Sequence, residues 1–330
     1  MSRPDAPPLP REGRGHVPLW RRLPSELLLL ALLAVAVIIM SRLSPAFLTV
    51  RNFAEVFRFS TEIGLISLGM TLVILTAGID LSVGSILGLC AILLGFTFSL
   101  GLNVWLAFAL ALLAGALLGL LNGLIITRVG IPPLIVTLAT LAIYRGLALG
   151  ISQARSFGAF PEGFLALGRA YLGPVPLQAL VLFGVAAGVW FLLARTTFGR
   201  MVYAIGNNVT AARFSGVPVG RVLLGVYTLS GLLAGLAGGV FVARISSARA
   251  DAGIGYELDA ITAVILGGTA ITGGTGGVGG TVLGLLLVAV VRNGLTLAFV
   301  PTEIQNIVVG AILLFAVLVS QLARWGASRA

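Results

Sequence analysis

The chain has 330 residues, of which 58% are hydrophobic and 10% charged, with a mean hydropathy of +1.09; a water-soluble domain lies nearer ~45–50% apolar and ~25% charged, so the composition predicts an all-α polytopic membrane protein. All 21 basic residues are arginine and the formal charge is +10, and the absence of lysine excludes both a P-loop nucleotide site and Schiff-base chemistry. His16 is the only histidine and Cys90 the only cysteine, which excludes a Cys/His zinc site, a Cys-His pair and an intrachain disulfide; no catalytic group, metal or cofactor is expected.

Residues 1–24 are rich in Pro and Arg and read as a disordered leader rather than a signal peptide. Ser25 suits a helix N-cap, with a first span over Glu26–Met40. Asn52 is placed to cap the next helix, whose first turns carry Glu55, Arg58 and Glu62 at spacings that allow side-chain pairing. Its apolar part, Ile63–Ala77, is broken by Gly78, and a new segment runs Leu81–Ser99. The stretch ILTAGIDLSVGS (74–85) thus sets Asp80 at the break. An acid near mid-bilayer costs about 2.5–3.5 kcal/mol on insertion scales. As the N-cap of a helix from Leu81, Asp80 accepts backbone N–H groups where the dipole favours an anion, and Ser82 and Ser85 add hydroxyls; direct contact with a passing solute is the other reading.

Further spans read as Val104–Ile126, Leu134–Leu149, Val175–Ala194, Val222–Val242, Leu258–Ile271, Thr281–Phe299 and Ile304–Leu322, making about ten in all, several short or broken. Asn122 and Asn293 are intramembrane amides, fit either for interhelical bonding or as ligands for solute hydroxyls. Pro132 and Pro133 suit a helix start. Thr137 and Thr140 either face a polar cavity or bond their own i−4 carbonyls, and Arg145 is placed to snorkel to the nearer interface. Cys90 reads as a small buried apolar residue.

The longest hydrophilic stretch between spans is 195–221. Within it Asn208 can cap a short helix over Val209–Ser215, which Gly216 and Pro218 terminate. Ala211 and Ala212 permit close contact there, and Arg213 is free to engage carbonyls or a carboxylate of a partner; an ordinary surface helix is the alternative. LGGTAITGGTGGVGGTVLG (266–284) lacks a phosphate-loop spacing, so its glycines read as close helix packing or as part of opening and closing a path, with Thr269, Thr272 and Thr275 satisfying exposed backbone. Ten spans put both termini on one side. If that side is the cytoplasm, inner loops carry twelve arginines and outer loops seven, as the positive-inside rule prefers. Scattered arginines without interleaved aromatics argue for anionic lipid and against nucleic acid as a partner.

VILTAGIDLSVGSILGL, NGLIITRVGIPPLIVTLATLAIYRGLAL, TTFGRMVYAIGNNVTAARFSGVPV and GGTAITGGTGGVGGTVLGLLLVAVVRNGL occur in order between about Phe47 and Leu322. In this they resemble permease subunits of ribose-type ABC importers, the monosaccharide (carbohydrate uptake 2) class. The resemblance implies a multi-pass protein of the bacterial inner membrane that translocates a ribose-like pentose, hexose, deoxy-sugar or related furanosyl compound without a nucleotide site of its own. It implies a permease domain over residues 25–323, a cytoplasmic tail over 324–330, and a pair of permease copies or paralogues. Its partners would be a cytoplasmic ATPase, often double-cassette, and a periplasmic sugar-binding protein. On the same resemblance 195–221 is the coupling loop, with Gly206, Asn208, Ala211, Ala212, Arg213, Ser215 and Gly216 meeting the ATPase. Asp80, Ser82, Asn122, Thr137, Thr140, Thr269 and Asn293 are the path candidates. Arg292 departs from the small or Asn residue that relatives often carry near it, which marks either a different sugar or a lipid-facing snorkel. The alternatives are a branched-chain amino acid ABC permease and, from another class, an ion-coupled secondary transporter.

Overall fold

The computed structural model describes residues 25–328; the leader over 1–24, with His16, and the end of the tail at 329–330 lie outside them. The described residues form α1 (Ser25–Leu43), α2 (Val50–Leu75), α3 (Val83–Ser99), α4 (Val104–Leu124) continued by a π-helical turn (Ile125–Val129), and α5 (Pro133–Ser152). After these come α6 (Glu162–Arg169), the hairpin β1 (Tyr171–Leu172) and β2 (Val175–Pro176), α7 (Leu177–Arg195), α8 (Thr197–Asn207) and α9 (Val209–Phe214). The chain ends in α10 (Val219–Ile245), α11 (Tyr256–Leu266), α12 (Val278–Leu297) and α13 (Thr302–Ser328).

Each of the ten apolar segments read from sequence has most of its residues on one helix, although Leu258–Ile271 runs past the end of α11 at Leu266 into the glycine-rich turn. Among the described residues six stretches are long and apolar enough to cross a membrane by length and composition: α2, Val104–Val129, α5, α7, α10 and α12. Their burial separates them into layers. In α2 and α10 the apolar windows are 83% and 78% buried, against 28–33% for Val104–Val129, α5 and α7. The first two therefore form the centre, and the others present broad apolar faces outward, as helices against lipid do.

The closest helix pair is α4 with α10. Gly115, Gly119 and Gly123 recur every four residues, so they share one stripe. A Cβ on Gly119 would lie 2.1 Å from the Tyr227 carbonyl oxygen, and one on Gly231 would lie 2.2 Å from that of Gly115. Only hydrogen fits between these backbones, which is how small-residue stripes bring membrane helices together. Cys90, wholly buried, packs on the same seam as the sequence suggests. A second apolar cluster joins α1, α12 and α13 through Met40, Val288, Val291 and Val309.

Two ends of the bundle can be told apart. Toward one end lie the start of α10 with α9, and the tip of α2 with α8. Toward the other lie the end of α10 with α6, and the start of α2 beside the hairpin. Several boundaries differ from the sequence reading. The cap of α2 is Thr49, whose hydroxyl accepts from the Asn52 N–H at 3.2 Å, not Asn52, which lies inside the helix. Glu55 pairs with Arg58 at 3.0 Å, but Glu62 turns inward to Arg244 instead. α2 ends at Leu75, and the residue turning left-handed is Ala77 (φ +61°) rather than Gly78, whose N–H bonds back to the Val73 carbonyl at 3.0 Å. α7 starts at Leu177 because Val175 and Pro176 are spent on the hairpin. The stretch 195–221 holds a whole additional helix, α8.

Candidate functional site

The first polar site lies in the turn between α2 and α3. Asp80 is 0% exposed and its Oδ1 accepts from the Ser82 N–H at 3.0 Å and the Ser82 hydroxyl at 2.6 Å. It is not the N-cap of a helix from Leu81. The helix starts at Val83 with Ser82 in the cap position, making no side-chain cap bond. Asp80 instead closes an Asx turn two residues earlier, since its short side chain reaches its own i+2 N–H. From there a chain of hydrogen bonds runs outward: the Asn122 amide donates to Ser82 Oγ at 2.8 Å, and the Tyr144 hydroxyl donates to Asn122 Oδ1 at 3.1 Å. Ser230 of α10 donates to Asp80 Oδ2 at 3.4 Å, and Thr137 of α5 donates to the Ile79 carbonyl at 3.1 Å. The turn is thereby tied to α4, α5 and α10. Ser230 stands eleven residues into α10, or about 16 Å along it at 1.5 Å per residue, so the knot lies well inside the bundle.

Four of the path candidates, Asp80, Ser82, Asn122 and Thr137, are brought together here, all 0% exposed. Thr140 bonds its own Val136 carbonyl at 3.0 Å, whereas Thr137 does not follow that pattern. Asn293 is elsewhere: it exchanges amide hydrogen bonds with Asn52 at 2.8 and 2.9 Å, linking α12 to α2. Thr269 lies in the glycine-rich turn, buried, with no partner for its hydroxyl. Neither arginine in doubt snorkels to lipid. Arg145 donates to the carbonyls of Ala250, Ala252 and Gly84, and Arg292 pairs with Asp259 at 2.6 Å and donates to Asn306 at 3.2 Å. Sequence reasoning also missed the Glu62–Arg244 pair at 2.6 Å, with Glu62 0% exposed and the guanidinium over Phe59 and Phe241.

The second site is the surface formed by α8, α9 and the turn 267–277. Asn208 caps α9, its Oδ1 accepting from the Ala211 N–H at 2.9 Å. At the other end the Gly216 N–H bonds the Arg213 carbonyl at 3.1 Å and the Val217 N–H bonds that of Ala212 at 3.0 Å, with Gly216 at φ +81°. These two bonds are the Schellman closure that glycine makes possible. Ala212 faces inward; Asn208, Ala211, Arg213, Ser215 and Gly216 are exposed, and Phe214 is 89% exposed. α9 is thus a six-residue helix fixed at both ends that presents a cation beside an exposed phenyl ring.

Gly206 has a different task. A Cβ there would lie 1.9 Å from the Leu75 carbonyl oxygen and 2.4 Å from the Gly274 nitrogen. The Gly274 N–H itself donates to the Leu75 carbonyl at 3.0 Å, and Tyr203 donates to the Gly276 carbonyl at 3.0 Å. Burial holds the Tyr203 phenol above its ordinary pKa, so it remains a donor at neutral pH. α8 is thus seated on the tip of α2 and on the glycine turn, five residues from Asp80. A concavity of about 400 Å³ lies in this seat, lined by Gly206, Asn207, Thr272, Gly273 and Thr275. Among the described residues no group of three or more His, Cys, Asp or Glu side chains is placed to hold a metal.

Residues 52–317 match the family model described as the branched-chain amino acid transport system / permease component. The ribose import permease protein RbsC of Bacillus subtilis is 43% identical over 291 residues, covering 88% of this chain and 90% of the relative. RbsC of Escherichia coli K12 is 40% identical over 297 residues, covering 88% and 92%. The autoinducer 2 import system permease protein LsrD of Salmonella typhimurium is 36% identical over 309 residues, covering 91% and 92%. No solved structure matches the chain.

Proposed function

The chain belongs to the branched-chain amino acid transport system / permease component family, and from that premise we propose that it is the permease subunit of an ATP-driven sugar importer. The observation that carries this reading is the 43% identity to a ribose import permease over 88% of the chain. The autoinducer 2 import system permease, 36% identical over 91% of the chain, keeps the substrate class wider than ribose alone. The subunit is a transport component and not an enzyme; hydrolysis belongs to a separate ATPase.

Ten segments cross the bacterial inner membrane with both termini in the cytoplasm, since that orientation leaves twelve arginines inside and seven outside. The α9 face is then cytoplasmic and seats in a groove of the ATPase through Arg213, Phe214 and the flanking small residues. Two copies or paralogues line one channel, and a periplasmic binding protein delivers the sugar. α8 transmits the stroke: its seat on the Leu75 carbonyl and Gly274 couples α9 to the tip of α2, and through it to the turn that Asp80 holds.

Uptake in cells or proteoliposomes tests this. Transport should require the ATPase, stop with vanadate and persist with a protonophore at constant ATP. Uptake that survives loss of the ATPase would sink the proposal and favour an ion-coupled carrier. The family description keeps one second reading, a branched-chain amino acid as cargo; competition of ribose uptake by leucine would support it.

A further inference from the structure

Between α10 and α11 the chain runs from Ser246 to Gly255 without a helix. It leaves α10 through Ser246 at φ +59°, and Ala248 then exchanges backbone hydrogen bonds with Phe157 at 3.1 and 2.8 Å. Burial alternates from there. Ala248, Ala250 and Ala252 are buried, whereas the Arg249 and Asp251 side chains are 54% and 53% exposed. The Ala252 N–H closes a turn on the Arg249 carbonyl at 3.2 Å, and the strip keeps one face packed and one open. The packed face lies on α3 so closely that a Cβ on Gly84 would fall 2.4 Å from the Gly253 carbonyl oxygen, and one on Gly88 2.8 Å from that of Ala252. Arg145 fastens it: Nη1 donates to the carbonyls of Ala250 and Ala252 and Nη2 to that of Gly84 at 3.2 Å, so one guanidinium ties two carbonyls of the strip to the first turn of α3.

Depth decides what the open face meets. Arg145 lies seven residues before the end of α5 at Ser152, about 10 Å along the helix. Non-helical backbone persists at such depth only where protein buries it or water bathes it, and an exposed ion pair there has no place in hydrocarbon. On the open face Arg249 and Asp251 form a fork, Nε to Oδ1 at 2.9 Å and Nη2 to Oδ2 at 2.6 Å. We infer that residues 248–252 form a wall of the solute path, that the Arg249–Asp251 fork faces the passing solute, and that Arg145 is the positioning residue holding the wall against α3. A guanidinium edge and a carboxylate together offer donors and acceptors to a neutral polyhydroxylated solute. The inference rests on the transport reading above for the identity of that solute.

The test uses the full complex in native membranes with Cys90→Ala as the background, so that one introduced thiol reports. The probe is a charged, membrane-impermeant methanethiosulfonate, applied to right-side-out and inverted vesicles. In Asp251→Cys the thiol should react rapidly from the periplasmic side, and in Ala252→Cys at least tenfold more slowly. Adding Arg145→Gln should raise the rate at 252 toward that at 251, and Arg145→Lys should raise it less. Gly84→Ala, which leaves Arg145 intact but drives a methyl into the Glu257 carboxylate and the Gly253 carbonyl, should also raise it. A thiol at 251 that reacts only with a lipid-soluble maleimide, or only from the cytoplasmic side, overturns the wall; so does a second copy that shields it completely. A rate at 252 unmoved by both Arg145→Gln and Gly84→Ala overturns the latch. If Arg145→Gln does not reach the membrane, Gly84→Ala decides the latch and the 251/252 contrast decides the wall. Labelling needs no transport, so ATP-independent uptake would sink the proposed function and leave this result standing.

Discussion

Two helix breaks, one after α2 and one after α11, solve the same problem in opposite ways. At 76–82 the chain turns inside the bundle, and side chains from three other helices close the turn around Asp80, Ser82 and the Ile79 carbonyl. At 267–277 the backbone itself supplies much of the closure. Gly268, Gly273, Gly274 and Gly276 adopt positive φ values of 77–126° that L-residues rarely reach, and the turn is held mainly by backbone bonds and by contact with α8. A break deep in the protein needs dedicated polar partners because no water replaces them. A break beside the α9 face can spend its conformational freedom on close fit, and that fit is where a partner's motion would enter.

The contrast can be broken most severely at Gly206. Gly206→Ala drives a methyl into two backbone atoms, the Leu75 carbonyl oxygen and the Gly274 nitrogen, so α8 must lift. A loss of about 3 kcal/mol is expected, read as a lower melting temperature in detergent together with lost stimulation of the ATPase. Asp80→Ala strips the acceptor from the Ser82 N–H and hydroxyl and from Ser230. It should cost about 2 kcal/mol, and Asp80→Asn, which keeps one acceptor oxygen, roughly half that. Equal melting temperatures for both variants and the parent would show that the turn closes without its acid.

Smaller changes sharpen the comparison. Ala77 holds a left-handed φ of +61° with a Cβ, the kind of position the other break gives to glycine. Ala77→Gly relieves that strain at some entropic cost in the unfolded chain, for a net gain of about 0.5 kcal/mol; a fall in melting temperature would mean that the Ala77 methyl is a packing contact instead. Arg213→Glu, on the exposed side of α9, should change stability by less than about 0.5 kcal/mol while reducing sugar-stimulated ATPase activity in the assembled complex. Undiminished stimulation would count against α9 as the contact with the ATPase.

What the sequence made legible was local. The caps at Asn208 and Gly216 and the Pro132–Pro133 start of α5 are decided within a few residues, and the structure has them where spacing places them. The α2–α3 break was foreseen, but its cap was assigned two residues early, because an Asx turn and an N-cap use the same acid and differ only in which N–H it meets. The polar partners were not legible. Arg145 finds carbonyls about a hundred residues away, and Glu62 finds Arg244 rather than its near neighbour Arg58. Position on a lipid-facing helix suggests snorkelling for any arginine, and only tertiary structure reveals a buried acceptor. The loop over 248–252 was legible as such; that its Ala-Arg-Ala-Asp-Ala pattern packs the alanines on α3 was not, because the partner helix is far away in sequence. The stripe of Gly115, Gly119 and Gly123 was equally visible, but the two glycine-rich breaks drew the glycine reading to themselves.

That stripe has a mechanical consequence. Where the Gly119 Cα hydrogens rest on the Tyr227 carbonyl and those of Gly231 on Gly115, α4 and α10 mesh like gear teeth cut four residues, about 6 Å, apart. A shift by less than a full tooth puts carbonyls against Cα atoms with nowhere to yield. The pair therefore has no fine adjustment: it stays in register as one beam, and if α9 receives a stroke as proposed, the elements around the beam would have to take it up.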